Sequence, residues 1–405
     1  MTNDPSRLAA LLRLRLSPTG VFLGLGLLFR VAHYLADREY WLDETFLAGN
    51  IANKTFAELA GPLSADQLAP LGFLWAEQLV YLALGGSALA LRLIPLASGV
   101  AALFLFLVLA RRCLEPRTVP VALALCAIAD DLIYFSAELK PYSGDVAAAL
   151  LAERAAVAMR TAPLMARRIL GCGAIGAVLV WFSFPVVFIL AGTSLALVGS
   201  AVWRRDGPMA VRCAAVGLIW AVAWAASYSV VRIQLHPDTG MWVFWSFAFP
   251  PQPLEVSTAL IWAARRFLNL FVNPLSFPGP IGPYPGGLLA LGLLVIGCGS
   301  LWRRDRLGLA LLMLPMLLTL AAALVRLYPF HGRLILFLTP ALLLLIAEGI
   351  DRLRGPSGRP VVFGLIVAVL LAYPALTDLY HVVVPRQRIF DAVGDYRSDT
   401  WSRRL

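Results

Sequence analysis

Apolar residues run through this chain in long blocks, and short polar stretches separate them. A block of ~18 or more apolar residues is long enough to cross the hydrocarbon core of a bilayer. Blocks of that kind cover 18–36, 88–110, 118–135, 145–159 and a tight pair that turns near Ser183 to Pro185. They continue through 211–233, a block ending at Arg303-Arg304, one leaving near Arg326, 334–351 and 360–376. The pattern predicts an all-α polytopic membrane protein of about eleven transmembrane helices. The block 70–84 is apolar but short, and it is predicted to lie along the outer interface. The polar stretches 37–87, 136–145, 234–284 and 326–333 become outward loops. Residues 1–380 then form one transmembrane domain, and 381–405 form a short outward tail with no soluble domain. No small-residue cleavage site follows the first apolar block before Asp37, so that block is expected to stay as a span.

Composition agrees. Hydrophobic residues make up 60% of the 405 positions and charged residues 14%, with a mean hydropathy of +0.78. A soluble domain is ~45–50% apolar and ~25% charged. The net charge of +10 would suit a nucleic-acid partner, but its arginines sit in short clusters between apolar blocks, such as Arg111-Arg112, Arg204-Arg205 and Arg303-Arg304. That is the positive-inside pattern. It places those clusters and the N-terminus, with Arg7, Arg13 and Arg15, on the cytoplasmic side, and it excludes nucleic acid as a partner. If 70–84 crossed the membrane, Arg111-Arg112 would face outward and the alternation would break. No internal repeat is visible, which argues against a transporter of inverted halves. The five cysteines show no metal or redox spacing. Many Ala, Leu and Arg with few Lys point to a GC-rich bacterium, and so to its cytoplasmic membrane.

Three outward clusters carry candidate chemistry. Trp41-Leu42-Asp43-Glu44 follows the first span. Adjacent carboxylates at a membrane boundary suit a general base with its pKa tuned by burial; they equally suit acids capping the next helix. The second cluster, Glu138-Leu139-Lys140-Pro141-Tyr142-Ser143-Gly144-Asp145, packs acids, a cation, a phenol and a hydroxyl at the mouth of two spans. Lys140 could hold a phosphate, and Asp145 could cap its helix. The third, Arg326 to Arg333 with His331, puts cations on the outer side against the positive-inside bias. They suit either phosphate oxygens or snorkelling anchors. Arg92 opens the second span, and Arg30 lies inside the first, where it must face protein or water. Glu153-Arg154 reads as a structural pair or as facing a cavity. If the clusters converge, they could displace a lipid phosphate from an anomeric carbon. No Gly-rich phosphate loop for a nucleotide is present, which suits a donor presented by the membrane.

These segments, in this order and spacing, resemble the integral-membrane glycosyltransferases of the GT-C class. Within it they resemble the family 39 type, related to protein O-mannosyltransferases and the bacterial lipid A aminoarabinose transferase. Trp41 to Glu44, the helix from Pro70, Ala90-Leu91-Arg92, Glu138 to Asp145 and Tyr328 to Arg333 carry the resemblance across about 18–380. It implies a GT-C fold with interfacial helices in the first outward loop. It also implies inverting transfer, at the outer membrane face, of a hexosyl or pentosyl group from a polyprenyl-phosphate-linked donor. By it Asp43 is the general base, with Glu44 supporting and Asp145 as the second acidic position. Glu138, Lys140, Tyr142, Arg92, Arg326, His331 and Arg333 are the substrate-binding candidates. Two departures stand out: the soluble C-terminal domain common among related enzymes is not expected here, and Ala69-Pro70 replaces a common proline pair. The acceptor stays open between lipid, glycan and protein.

Two other readings use the same residues. A transporter or flippase of lipid-linked sugars needs the basic site but no base, and an assembly subunit needs neither. No resident cofactor is expected. His236, His331 and the acids leave a divalent cation open, although no spacing matches a standard metal site.

Overall fold

A computed structural model describes residues 17–161, 165–235, 241–277, 286–354, 360–384 and 386. His236, the arginines before the first span and the tail beyond Arg386 lie outside those residues. Among the described residues every regular element is helical. Eight helices are long and apolar enough to cross a membrane, or nine if one bent pair counts as a single span. Each of the expected spans corresponds to helix, but the count of eleven is not reached on length and composition.

The chain opens with α1, Pro18–Leu35, whose N-terminal N–H of Gly20 is capped by the Ser17 hydroxyl at 3.1 Å, with Pro18 in the first turn. Then come α2, Leu42–Asn53, and α3, Leu71–Leu84. At 14 residues α3 is ~21 Å long, short of a ~30 Å hydrocarbon core. The long α4, Leu93–Cys113, follows. Next come α5, Val119–Ala127, and α6, Asp130–Tyr134, which together with residues to Ala137 form the pair bent by 61°. Helix α7 is Tyr142–Thr161 and α8 is Ala166–Leu179. They correspond to the expected fourth and fifth spans, and neither is among the eight. Asp145, Glu153 and Arg154 make α7 polar, and α8 has only 14 residues. The rest are α9, Val186–Trp203; α10, Gly207–Gln234; α11, Val256–Asn269; α12, Gly286–Arg304; α13, Arg306–Leu324; α14, Thr339–Arg354; and α15, Pro360–Val383.

Burial sorts the bundle into centre and rim. The segment Gly332–Arg354, ending in α14, is 94% buried over its apolar window, whereas α1, α10 and α15 are each 17% buried. Those outer faces carry exposed Leu, Val and Trp, as a lipid-facing rim requires. Helix α12 packs closely on α14, and α4 packs on α7. At the first crossing, Gly297 faces the Leu345 carbonyl and Gly349 faces that of Leu293. A Cβ at either glycine would collide with that oxygen. Small residues that bring backbones together are a membrane packing device.

The break between α5 and α6 explains Arg30. A helix end leaves carbonyls without partners. From the middle of α1, the buried Arg30 donates to the carbonyls of Ala127 at 3.3 Å and Cys126 at 3.5 Å, and also to Gly26 at 3.0 Å. The expected Glu153–Arg154 pair is not among the ion pairs of the described residues; Glu153 is buried in α7.

Helix α4 fixes two ends. It starts beside Arg92 and ends at Cys113, 21 residues and ~31 Å away. At the Cys113 end, ion pairs tie helix termini together: Arg117 to Asp351 at 2.8 Å, Arg160 to Asp305 at 2.8 Å, and Arg304 to Glu348 at 2.5 Å. Arg304 also reaches the Cys113 carbonyl at 3.4 Å. Arg117, Arg160 and Arg304 therefore lie at the Cys113 end of α4. The three outward clusters begin at the other.

Candidate active site

The site is built on the first turn of α2. Asp43 and Glu44 sit there, where the helix dipole favours acids. The two have separate partners. Glu44 turns inward, and its carboxylate takes Arg92 Nε and Nη2, each at 2.9 Å, and the Leu139 backbone N–H at 2.7 Å. It also accepts from the Trp41 backbone N–H at 3.5 Å, at the start of α2. Arg92 further donates to the carbonyls of Arg38 at 2.6 Å and Glu39 at 3.4 Å. Both side chains are buried and fully engaged with protein.

Asp43 turns the other way. Its Oδ1 meets Lys140 Nζ at 2.9 Å and accepts from Gln67 Nε2 at 2.9 Å, and its Oδ2 meets Arg333 at 3.3 Å. Lys140 Nζ also donates to Gln67 Oε1 at 2.6 Å. Lys140 is brought there by the turn before α7. Arg333 follows Gly332, which adopts a left-handed φ of +46° beside Asn273; such a φ is easiest for glycine. Three aromatic rings surround the Arg333 guanidinium: Trp41 at 5.2 Å, Tyr142 at 5.5 Å and Trp245 at 5.6 Å. They fix its plane without consuming its donors.

The charges decide the ionisation. Burial would raise the pKa of Asp43, but Lys140 and Arg333 outweigh it, and with hydrogen bonds from Lys140 and Gln67 they bring it down to about 2. Burial lowers the pKa of Lys140 while Asp43 opposes the fall. Burial, then Arg266 and Arg333, push His331 down to about 4. Its Nδ1 lies 3.1 Å from Arg266, which also donates to the Phe247 carbonyl.

The remaining candidates divide. Tyr142 lines the Arg333 cage and stacks edge-on against Phe135. Glu138 is buried, with Arg38 at 3.7 Å. Asp145 lies in the first turn of α7, beside Ser183, with its own Oδ1 buried and unpartnered. Arg326 stands exposed over Phe249 at 5.4 Å and makes no contact with the Asp43 group. Sequence reasoning missed Gln67 and Arg266. Gln67 and Arg266 both lie in stretches read as outward loops, where no motif marks them.

Glu44 faces Arg92, and the Asp43 oxygens face two cations. Among the described residues no three of His, Cys, Asp and Glu gather as a metal site would need.

No family model matches the chain, and no curated protein matches it. Solved structures do match. Over 88% of its length the chain aligns with the Archaeoglobus fulgidus oligosaccharyltransferase in complex with Zn and sulfate, at 15% identity and a TM-score of 0.56, covering 52% of that chain. The same organism's oligosaccharyltransferase AglB, with an inhibitory peptide and a dolichol-phosphate, aligns over 89% at 13% identity and a TM-score of 0.54, covering 55%. A third structure, tethered with an acceptor peptide containing the NVT sequon, aligns over 89% at 13% identity and a TM-score of 0.55, again covering 55%. The chain spans about half the length of each. At these TM-scores this chain shares the fold of the oligosaccharyltransferases over the part it covers.

Proposed function

We propose that this protein is an inverting glycosyltransferase that takes a sugar from a polyprenyl-phosphate-linked donor. The acceptor, a lipid, a glycan or a protein, would be glycosylated at the outer face of a bacterial cytoplasmic membrane, by a chain crossing it about eleven times. One observation carries the reading: the Asp43 carboxylate lies between two cations, Lys140 and Arg333, at the bundle end opposite the arginine clusters. Asp43 takes the proton of an acceptor hydroxyl. The freed oxygen bonds to the anomeric carbon, and the bond to the phosphate oxygen breaks with its electrons leaving on the phosphate. One displacement inverts the centre and needs one base. Lys140 and Arg333 are already in place for the charge that grows on the leaving phosphate, so little reorganisation is needed. The fold likeness to an enzyme solved with a dolichol-phosphate and with an acceptor peptide supports a lipid-phosphate donor and keeps a protein acceptor among the candidates. Within the class, the order of the motifs favours the family 39 type. The test is Asp43→Asn in purified, folded protein given lipid-linked sugars and acceptors. Turnover should fall ~10²–10⁴-fold. Transfer at near the unmodified rate would rule out Asp43 as the base, and a wild-type protein that moves lipid-linked sugars without transfer would favour a transporter.

A further inference from the structure

As it stands in the structure, Asp43 is a poor base. Both oxygens are engaged, one by Lys140 and Gln67 and the other by Arg333. Two cations face one carboxylate, which leaves an excess positive charge around it. The same two cations are the ones a lipid phosphate would need. Gln67 spans the acid and the nearer cation: its amide N–H donates to Asp43 and its amide oxygen accepts from Lys140. The side chain is 9% exposed, and its amide also reaches the Ala65 carbonyl at 3.4 Å.

We propose that Asp43 occupies the anion site while the donor is absent, that the donor's phosphate displaces it from Lys140 and Arg333, and that Gln67 is the positioning residue that keeps Lys140 in place during the exchange. This rests on the donor reading above. The consequence is that the base is armed only when the leaving group is seated. A carboxylate freed of two cations recovers its ordinary basicity. An acceptor hydroxyl arriving without donor meets a neutralised acid. The phosphate, for its part, must compete with an anion built into the site, so its apparent affinity is lowered by the fraction of molecules in which Asp43 holds the cations.

That competition gives the inference a sign. Removing the carboxylate should tighten lipid-phosphate binding even as it abolishes catalysis. The probes are undecaprenyl phosphate and, as the uncharged control, undecaprenol, bound to the purified full chain in detergent. If Asp43 holds the cations in about nine molecules of ten, Asp43→Asn binds undecaprenyl phosphate about tenfold more tightly than wild type, and undecaprenol equally. Adding Gln67→Ala to that variant should cost about threefold or more in undecaprenyl phosphate affinity, because Lys140 loses its tether. A residue that merely supported the fold would weaken both lipids alike. If wild type prefers the phosphate over the alcohol but Asp43→Asn leaves that preference unchanged or weaker, the exchange is wrong while the donor reading survives. If wild type and variants bind the two lipids equally, the donor reading falls and takes the exchange with it.

Discussion

Glu44 and Arg92 meet twice, Nε to Oε1 and Nη2 to Oε2, each at 2.9 Å and out of contact with solvent. The pair joins the first turn of α2 to the start of α4, and through Leu139 it holds the loop that carries Lys140. Arg92→Ala would leave a buried carboxylate without its cation. That should cost about 3–5 kcal/mol, seen as a lower melting temperature in detergent. Arg92→Lys should rescue little, since an ammonium cannot make the two-pronged contact. A melting temperature unchanged in Arg92→Ala would refute this structural role.

Two outer arginines are expected to behave differently. Arg333 touches Asp43 and is caged by aromatic rings, while Arg326 is exposed over Phe249. Arg333→Ala should weaken undecaprenyl phosphate binding about tenfold or more, as loss of a charge-assisted contact implies. Arg326→Ala should change it by less than about threefold. Equal losses would place the anion site elsewhere.

Stability should fall with acid in two windows. Burial with Arg266 and Arg333 puts folded His331 at about 4, below its ordinary 6.5, so the unfolded chain takes the proton first and stability drops as pH falls from 6.5 towards 4. Asp43, at about 2 when folded against 3.8, contributes stability above pH 3.8 that is lost as pH falls through 2. His331→Gln should flatten the first window and Asp43→Asn the second in melting temperatures measured against pH. A His331→Gln curve as steep as wild type between pH 6.5 and 4 would show that another group titrates there.

At the crossing of α12 and α14, each glycine faces the other helix's carbonyl. Gly297→Ala and Gly349→Ala should each push the helices apart and cost about 1–3 kcal/mol. Gly299→Ala, with open space around its Cβ position, serves as the neutral control in the same melting experiment.

The helices were legible because they follow from local pattern, the length of an apolar block. Asp43, Lys140 and Arg333 also stand out in the sequence, as charges where a bilayer makes charge costly, and the structure brings them into contact. The division of labour within Asp43-Glu44 was not legible. Neighbouring acids on a helix point about 100° apart, and which one meets Arg92 depends on a residue 48 positions away. For the same reason the sequence does not reveal that Arg92 pairs with Glu44. No proline or glycine stands at the bend after Ala127, and its one mark, Asp130-Asp131 opening α6, lies inside a block read as a single apolar span. Polar α7 and short α8 read as ordinary spans, because a hydropathy pattern does not report what a helix will be buried against.

Arg30 bears on how the chain is made. It enters the membrane with the first span, yet the Cys126 and Ala127 carbonyls that receive it lie 96 and 97 residues further along. At ~5–20 residues per second the ribosome needs roughly 5–20 s to supply them. For that interval the nascent first span carries a guanidinium with only its own Gly26 carbonyl to satisfy it. A guanidinium in an apolar segment is costly in hydrocarbon, so the first span gains most of its polar partners only once α5 has been made.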